Sequence, residues 1–441
     1  MAVIKPFTGY LYNKHLRESG TIGKLVAPPY DVISRKQKEE LAQEPYNIVQ
    51  ITLGRDQDDY QGAADRFRSW IKAGLVEKDN SSSFYIYEQE FELNPQLGKK
   101  VRTGFISLVR LEEFEKKVIL PHEKTMPKYS QDRLLLLQAV KGNLEQIFGI
   151  FNDTSGKADE ILEQNKRPED KLFEFTDYQG TIHRLWRMSD LNSQAAIRKI
   201  LNPRTIIIAD GHHRYETSLQ YRRQVREKLG DPLAPIPEDY VMMNLVNMKN
   251  PGLVILPTHR LVHGLPPEKV KSFFQKCEAF FEIKFFSNER EMEDFLLEAP
   301  PHTIGVYDKL QEVWGAITLK REEIMDERLG QNNVNRHLDT AILHELVLKE
   351  VLGIDDQAQA KNEYIDYLRG TKDVFAIARE ENGYQLVFVL RPTPMEAVEQ
   401  AVTHMQRMPQ KSTYFYPKIW SGLVFYLFEN SISGAAGESE R

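Results

Sequence analysis

Asp210-Gly211-His212-His213-Arg214 places five polar or special residues directly behind the β-branched run Thr205-Ile206-Ile207-Ile208. The run reads as a buried strand, and the spacing of Tyr215, Leu219 and Tyr221 reads as a helix that follows it. Strand, polar turn and helix together make the layout of an anion site. Asp210 suits the N-cap, while Gly211 tolerates positive φ and lets a ligand approach the backbone. The first free N–H groups of the helix, with Arg214 beside them, then face one point that a phosphate fits. The competing reading is an ordinary capped helix whose histidines pack or face water.

Further segments carry residues suited to the same chemistry. In Lys24 to Ile33 two prolines stiffen the chain before Tyr30 and Asp31. Tyr30 is a candidate substrate contact. Asp31 is either a catalytic or metal-binding carboxylate or an Asx turn ahead of a helix near Ser34. Leu120 to Arg133 gathers charge between a strand and a helix. Glu123 suits a base or an Mg²⁺ ligand, Lys124 suits phosphate charge, and a solvated charged loop is the alternative. His259-Arg260 is placed just past a strand end, where an arginine grips phosphate in a bidentate way. Lys411, Ser412 and Thr413 offer a cation and two hydroxyls to a substrate, while Tyr414 to Tyr416 either wall a ligand or plug a core. His337 and His344, on one helical face, have no partner ligand at standard spacing and are read as structural.

The Asp210 box resembles the DGHHR signature of the ParB/sulfiredoxin-like superfamily, which includes partition proteins, sulfiredoxins and free serine kinases. The chain as a whole resembles the domain of unknown function 1015 family, often labelled SpoOJ/ParA/ParB/RepB-like. That resemblance is carried by Ala27 to Ile33, Pro121 to Thr125, the Asp210 box, Pro257 to Arg260 and Met408 to Thr413. It implies a ParB/sulfiredoxin-like nucleotide-binding core in which the box holds nucleotide phosphate and its aspartate takes part in catalysis. The expected ligands are ATP or ADP, with CTP as an alternative, and Mg²⁺.

Two functions follow from these residues. One is a nucleotide-dependent phosphotransferase acting on a small hydroxylated metabolite such as free serine. In it Gly211, His212, His213 and Arg214 cradle phosphates, Lys124, His259 or Arg260 add charge, Asp210 and His213 act near the hydroxyl, and Glu123 or Asp31 serves as base. The other is a nucleotide-binding switch without efficient turnover.

Composition sets the outer limits. The chain has 441 residues, of which 41% are hydrophobic, enough for two cores. A net charge of -6 provides no basic field for nucleic acid. The single cysteine, Cys277, forms no internal disulfide and fits a reducing compartment. No apolar run is long enough to span a bilayer, and the N-terminus lacks a signal-peptide core, so a cytoplasmic protein is expected, with a homodimer left open. The expected fold is a mixed α/β arrangement: a ParB/sulfiredoxin-like domain over 1–265, a second α/β domain over 266–430 and a disordered tail over 431–441. Strands are expected at Tyr46 to Leu53, Phe84 to Phe91, Arg102 to Arg110, Tyr240 to Val246 and Asp373 to Ala378. Helices are expected at Tyr60 to Lys72, from Ser130 towards Phe148, at Lys269 to Phe280 and from the Thr393-Pro394 capping box to Met408.

Overall fold

Ile206–Asp210 forms a strand whose first four residues are buried, so a wholly apolar run lies inside a sheet rather than alternating across its faces. It pairs in parallel with Ile119–Pro121 and antiparallel with Ile147–Phe151. The order continues through Tyr240–Asn247, Lys99–Arg110, Phe84–Glu92, Ile182–Met188 and Lys171–Thr176, with Ile4–Lys5 paired to Lys99–Arg110. Both parallel and antiparallel ladders occur, giving a large mixed sheet. Its core gathers Phe84, Phe105, Ile147, Phe151, Ile206, Ile208, Tyr215 and Leu245.

The computed structural model describes residues 1–428 except 57, 94–97, 124–127, 232, 234, 371–373 and 382. Contacts divide the chain into two compact units. The first comprises Met1–Pro121, Thr125–Leu253 and the chain from Pro417; the second comprises His122–Lys124 and Val254–Tyr416. The second unit is therefore inserted in the first, and the division falls at Leu253 rather than near residue 265. In the second unit an antiparallel sheet runs Phe281–Phe286, Val313–Leu319, Thr303–Asp308, Tyr384–Val389, Thr258–His263, Ile365–Arg369. A separate ladder joins Val254–Leu256 to Tyr414–Tyr416. Among the described residues no helix is long and apolar enough to cross a membrane.

Several expected elements differ, each for a local reason. Tyr46 to Leu53 is not a strand but holds the short helix Val49–Thr52, buried throughout. Asn47 turns the chain there, donating to the carbonyls of Lys24 and Val26 while its Oδ1 accepts from the Val49 amide at 2.8 Å. Asp373 lies outside the described residues, and Val374 to Ala378 belongs not to a strand but to the helix Val374–Glu380, which buries Val374, Phe375 and Ala378 on one face. The helix Lys128–Val140 does not reach Phe148, because Lys141 turns left-handed at φ 57°. Gly142 follows, and a Cβ there would meet the Tyr426 carbonyl at 2.6 Å. Lys269 to Phe280 divides at Ser272 into Pro267–Lys271 and Phe273–Cys277. No capping box forms at Thr393, whose hydroxyl donates to the Ser412 carbonyl at 2.6 Å while Pro394 caps Met395–Thr403.

Candidate functional site

The helix His212–Leu229 begins at Gly211, whose φ of 88° is open to glycine and costly to other residues. As N-cap, Gly211 offers no side chain to the first turn. Asp210, expected as the cap, belongs instead to the last position of the preceding strand and points its carboxylate at two cations. Oδ1 accepts from Lys418 Nζ and Oδ2 from the Arg214 guanidinium at 3.0 Å. Arg214 folds back over the turn, so a Cβ on Gly211 would meet its guanidinium at 2.9 Å. Arg214 also donates to the Gln146 carbonyl at 2.7 Å. The result is a carboxylate held between two cations at the glycine-capped start of a long helix.

Burial alone would raise the Asp210 carboxyl, but the charges of Lys418 and Arg214 outweigh it and hold the group well below the usual carboxylate range. Burial would weaken the charge on Arg214, yet Glu145, Asp210, Tyr30 and Asp31 more than restore it. The side chains of Asp210, Arg214 and Lys418 are 18, 13 and 10% exposed, so the charges are desolvated but reachable. The fixed carboxylate is a poor proton acceptor. It orients the two cations.

Lys418 and Glu145 carry no motif of their own, and sequence reasoning missed both. Lys418 closes the stretch Met408 to Lys418, from which Lys411, Ser412 and Thr413 are the residues picked out by type. Its placement follows from the sheet: Arg102 donates to the Pro417 carbonyl, and Gln89, its cross-strand neighbour, donates to the Lys418 carbonyl at 2.9 Å. Glu145 accepts from the Ser421 hydroxyl at 2.7 Å and from the Tyr30 amide at 3.4 Å. Tyr30 lies with its ring under Arg133, 4.2 Å from the guanidinium carbon. Burial, then the nearby Asp31 charge, raises its phenol well above the ordinary value. Asp31, in the short helical turn Tyr30–Val32, is exposed. The first unit thus brings Asp210, Gly211, Arg214, Tyr30 and Asp31 together, with His212 near enough to add to the charge around Asp210. His213 occupies the second position of the same helix.

Beside this cluster lies a small pocket of about 60 Å³ between the helix Lys128–Val140, the segment 142–147 and the helix His212–Leu229. Arg133, Arg214 and Glu145 line it together with Leu137, Ile147 and Val241. Its apolar lining carries a few convergent charges, the chemistry that orients a small charged molecule.

The remaining described candidates belong to the second unit and serve internal ties. His259 and Arg260 lie within the strand Thr258–His263, not past its end. Arg260 is fully buried and donates to the Thr258 and Lys411 carbonyls, the latter at 3.1 Å, with Tyr367 beneath it. Burial pushes it down to about 10. His259 accepts from the Leu390 amide at 3.2 Å, and burial, then Arg260, pushes it down to about 4. Neither is presented to an outside phosphate. Glu123 Oε1 accepts from the Thr413 amide and hydroxyl at 2.8 and 3.0 Å, and His122 also meets that hydroxyl, at 2.7 Å. Ser412 is buried, donating to the Pro409 carbonyl at 2.7 Å. Lys411 takes a left-handed φ of 58°. Lys124 falls outside the described residues. For an Mg²⁺ ion Glu123 offers at most one oxygen, since Oε1 already takes both Thr413 donors.

Comparison with known proteins follows the same order of strength. No curated protein matches the chain. Among solved structures, a conserved hypothetical protein from Pyrococcus furiosus is 12% identical, with a TM-score of 0.35 over 71% of this chain and 93% of that one. A free serine kinase mutant in complex with AMP is 11% identical, with a TM-score of 0.35 over 68% and 84%. SbnI with C-terminal truncation, from Staphylococcus aureus, is 10% identical, with a TM-score of 0.34 over 71% and 84%. Scores this low assign neither fold nor activity to the chain. The family match is of another order, covering residues 4–341, and it makes this chain a member of the family described as "Protein of unknown function (DUF1015)".

Proposed function

We propose that the Asp210 cluster holds the phosphates of a nucleotide and that the protein is a nucleotide-dependent phosphotransferase with a ParB/sulfiredoxin-like core. One observation carries this reading: a helix start whose N-cap is glycine at positive φ and two desolvated cations converge beside one orienting carboxylate. Glycine at this turn lets the Arg214 guanidinium close on the helix start, where a Cβ would displace it. The amides of Gly211, His212 and His213 with Arg214 and Lys418 would hold the anion. When bound, ATP or ADP, with CTP as the alternative, supplies the phosphoryl group.

The chain's own residues then divide the work. Lys418 and Arg214 neutralise charge, and Asp210 keeps them aimed. The neighbouring pocket receives the hydroxylated acceptor, with Arg133 and Glu145 reading a carboxylate and an ammonium; free serine is the first acceptor to try. Asp31, exposed and close to Arg214, is the better base, because Glu123 is engaged by Thr413. His213 remains a second group to test at the helix start.

A second reading has an observation of its own. With both Asp210 oxygens taken by cations, the site is built to bind an anion even if it moves no proton, as a nucleotide-binding switch would. Incubation with ATP, ADP or CTP, Mg²⁺ and a pool of hydroxy metabolites, followed by mass spectrometry, separates the two. The phosphotransferase reading expects a phosphorylated product that Asp31→Asn suppresses while nucleotide binding persists. Binding without any product leaves the switch, and absence of nucleotide binding overturns both.

A further inference from the structure

The second unit contains a cluster that the Asp210 site does not use. The ladder between Thr303–Asp308 and Val313–Leu319 pairs Thr303 with Thr318, and the Leu319 amide donates to the His302 carbonyl at 3.1 Å. That register fixes His302 beside the chain leaving the second strand, and Glu322 follows at the start of the helix Glu323–Leu329. His337 arrives from elsewhere, ending the turn Val334–His337. Three sequence-distant segments therefore deliver two imidazoles and a carboxylate to one place.

Their geometry is that of ligands around an ion. His302 Nε2 lies 3.6 Å from Glu322 Oε1, and His337 Nδ1 lies 3.1 Å from Glu322 Oε2. The donor atoms all fall within 4.8 Å of one another. Ligands about 2.1 Å from a tetrahedral zinc stand about 3.4 Å apart, so a small contraction seats the ion. The outer contacts match as well. His302 turns its other nitrogen, Nδ1, to Asp339 Oδ1 at 3.2 Å, and Arg391 meets Asp339 Oδ2 at 3.5 Å. A carboxylate on the far nitrogen fixes the tautomer that offers Nε2 to a metal and orients the ring. The side chains of Glu322 and His337 are 58 and 38% exposed, leaving an ion open to water on one side.

We infer that His302, Glu322 and His337 form a solvent-open site for a divalent first-row transition metal, with Asp339 positioning His302. Two imidazoles and one carboxylate select zinc, cobalt or ferrous iron over Mg²⁺, which prefers oxygen donors. Three protein ligands leave a coordination position for water or a small ligand, as in open rather than closed zinc sites. Spacing alone sets His337 and His344 on one helical face, whereas His337 ends the turn Val334–His337 and its partners come from other segments.

The test uses the full chain, stripped with a chelator and titrated with zinc chloride against a chromophoric competitor, with cobalt chloride as a spectroscopic probe and magnesium chloride as control. We expect one zinc per chain, visible d–d bands of low-symmetry cobalt, and no competition from magnesium. His302→Ala and His337→Gln should each weaken zinc by more than roughly a hundredfold, and Asp339→Asn by about tenfold, since partners of ligands typically tune affinity by 10–100-fold. Far-UV dichroism checks that each variant is folded; His337 is exposed enough that its replacement leaves the core alone. Absence of zinc binding, or zinc binding unchanged in the folded His337→Gln variant, overturns the inference.

Discussion

Asp210 shows how one residue's partners decide its role. Its two oxygens face Lys418 and Arg214, and removing one member of a desolvated ion cluster leaves charge without compensation. Asp210→Asn should cost about 2–4 kcal/mol in urea unfolding, and a double-mutant cycle with Lys418→Met should show a coupling of about 2 kcal/mol. A coupling near zero would mean that the cluster is not formed in solution. Gly211→Ala should cost at least about 1 kcal/mol from positive φ and also displace the Arg214 guanidinium, so phosphate binding should fall further than stability. His259 sets a pH dependence in the second unit. Its pKa is lowered to about 4 in the folded state, so it adds stability that is present above the unfolded value. That stability is lost as pH falls from about 6.5 towards about 4, by up to about 3 kcal/mol. Fluorescence of Trp314, partly buried against the second unit's core, should report this loss, and His259→Gln should flatten the slope.

Between residue and sheet, the strand–turn–helix over 206–229 was legible because a β-branched run, a glycine and a charged helix each state their structure locally. What sequence could not state is partnership. Asp210 has the type of an N-cap, yet the cations of Lys418 and Arg214 hold it more strongly than a backbone amide would. Lys418 is placed by Arg102 and Gln89, more than three hundred residues earlier, a contact that spacing along the chain cannot reveal. Tyr46 to Leu53 reads as a strand by its alternation, yet Asn47 to Thr52 are all buried and Asn47 turns the chain into the helix Val49–Thr52. If Arg102 does position Lys418, Arg102→Leu should raise amide exchange over 417–421 and weaken anion binding while the Phe84–Glu92 ladder keeps its protection. Unchanged exchange there would assign Lys418 another anchor.

At the scale of the chain, the second unit interrupts the first, and the segment from Pro417 closes the first again. Ser421 pairs with Ala27 and Phe425 with Tyr10, while Leu423, Val424 and Phe425 are buried. Each such side chain contributes about 1.5–3 kcal/mol, so their sum rivals a domain's net stability of about 5–15 kcal/mol. A chain ending at Tyr416 should therefore lose the cooperative unfolding of its first unit, seen by calorimetry; an unaltered transition would show the closing segment to be dispensable. This return of the chain also explains why Met408 to Lys418 divided its residues. Lys411, Ser412 and Thr413 tie the second unit internally, and Lys418 joins the first. The central claim is that the Asp210 turn binds nucleotide phosphate, and calorimetric titration of ADP into wild type, Lys418→Met and Gly211→Ala tests it most directly. Saturable binding to wild type, weakened at least about tenfold in both variants, is the predicted result; equal affinity in all three, or no binding to wild type, would contradict it.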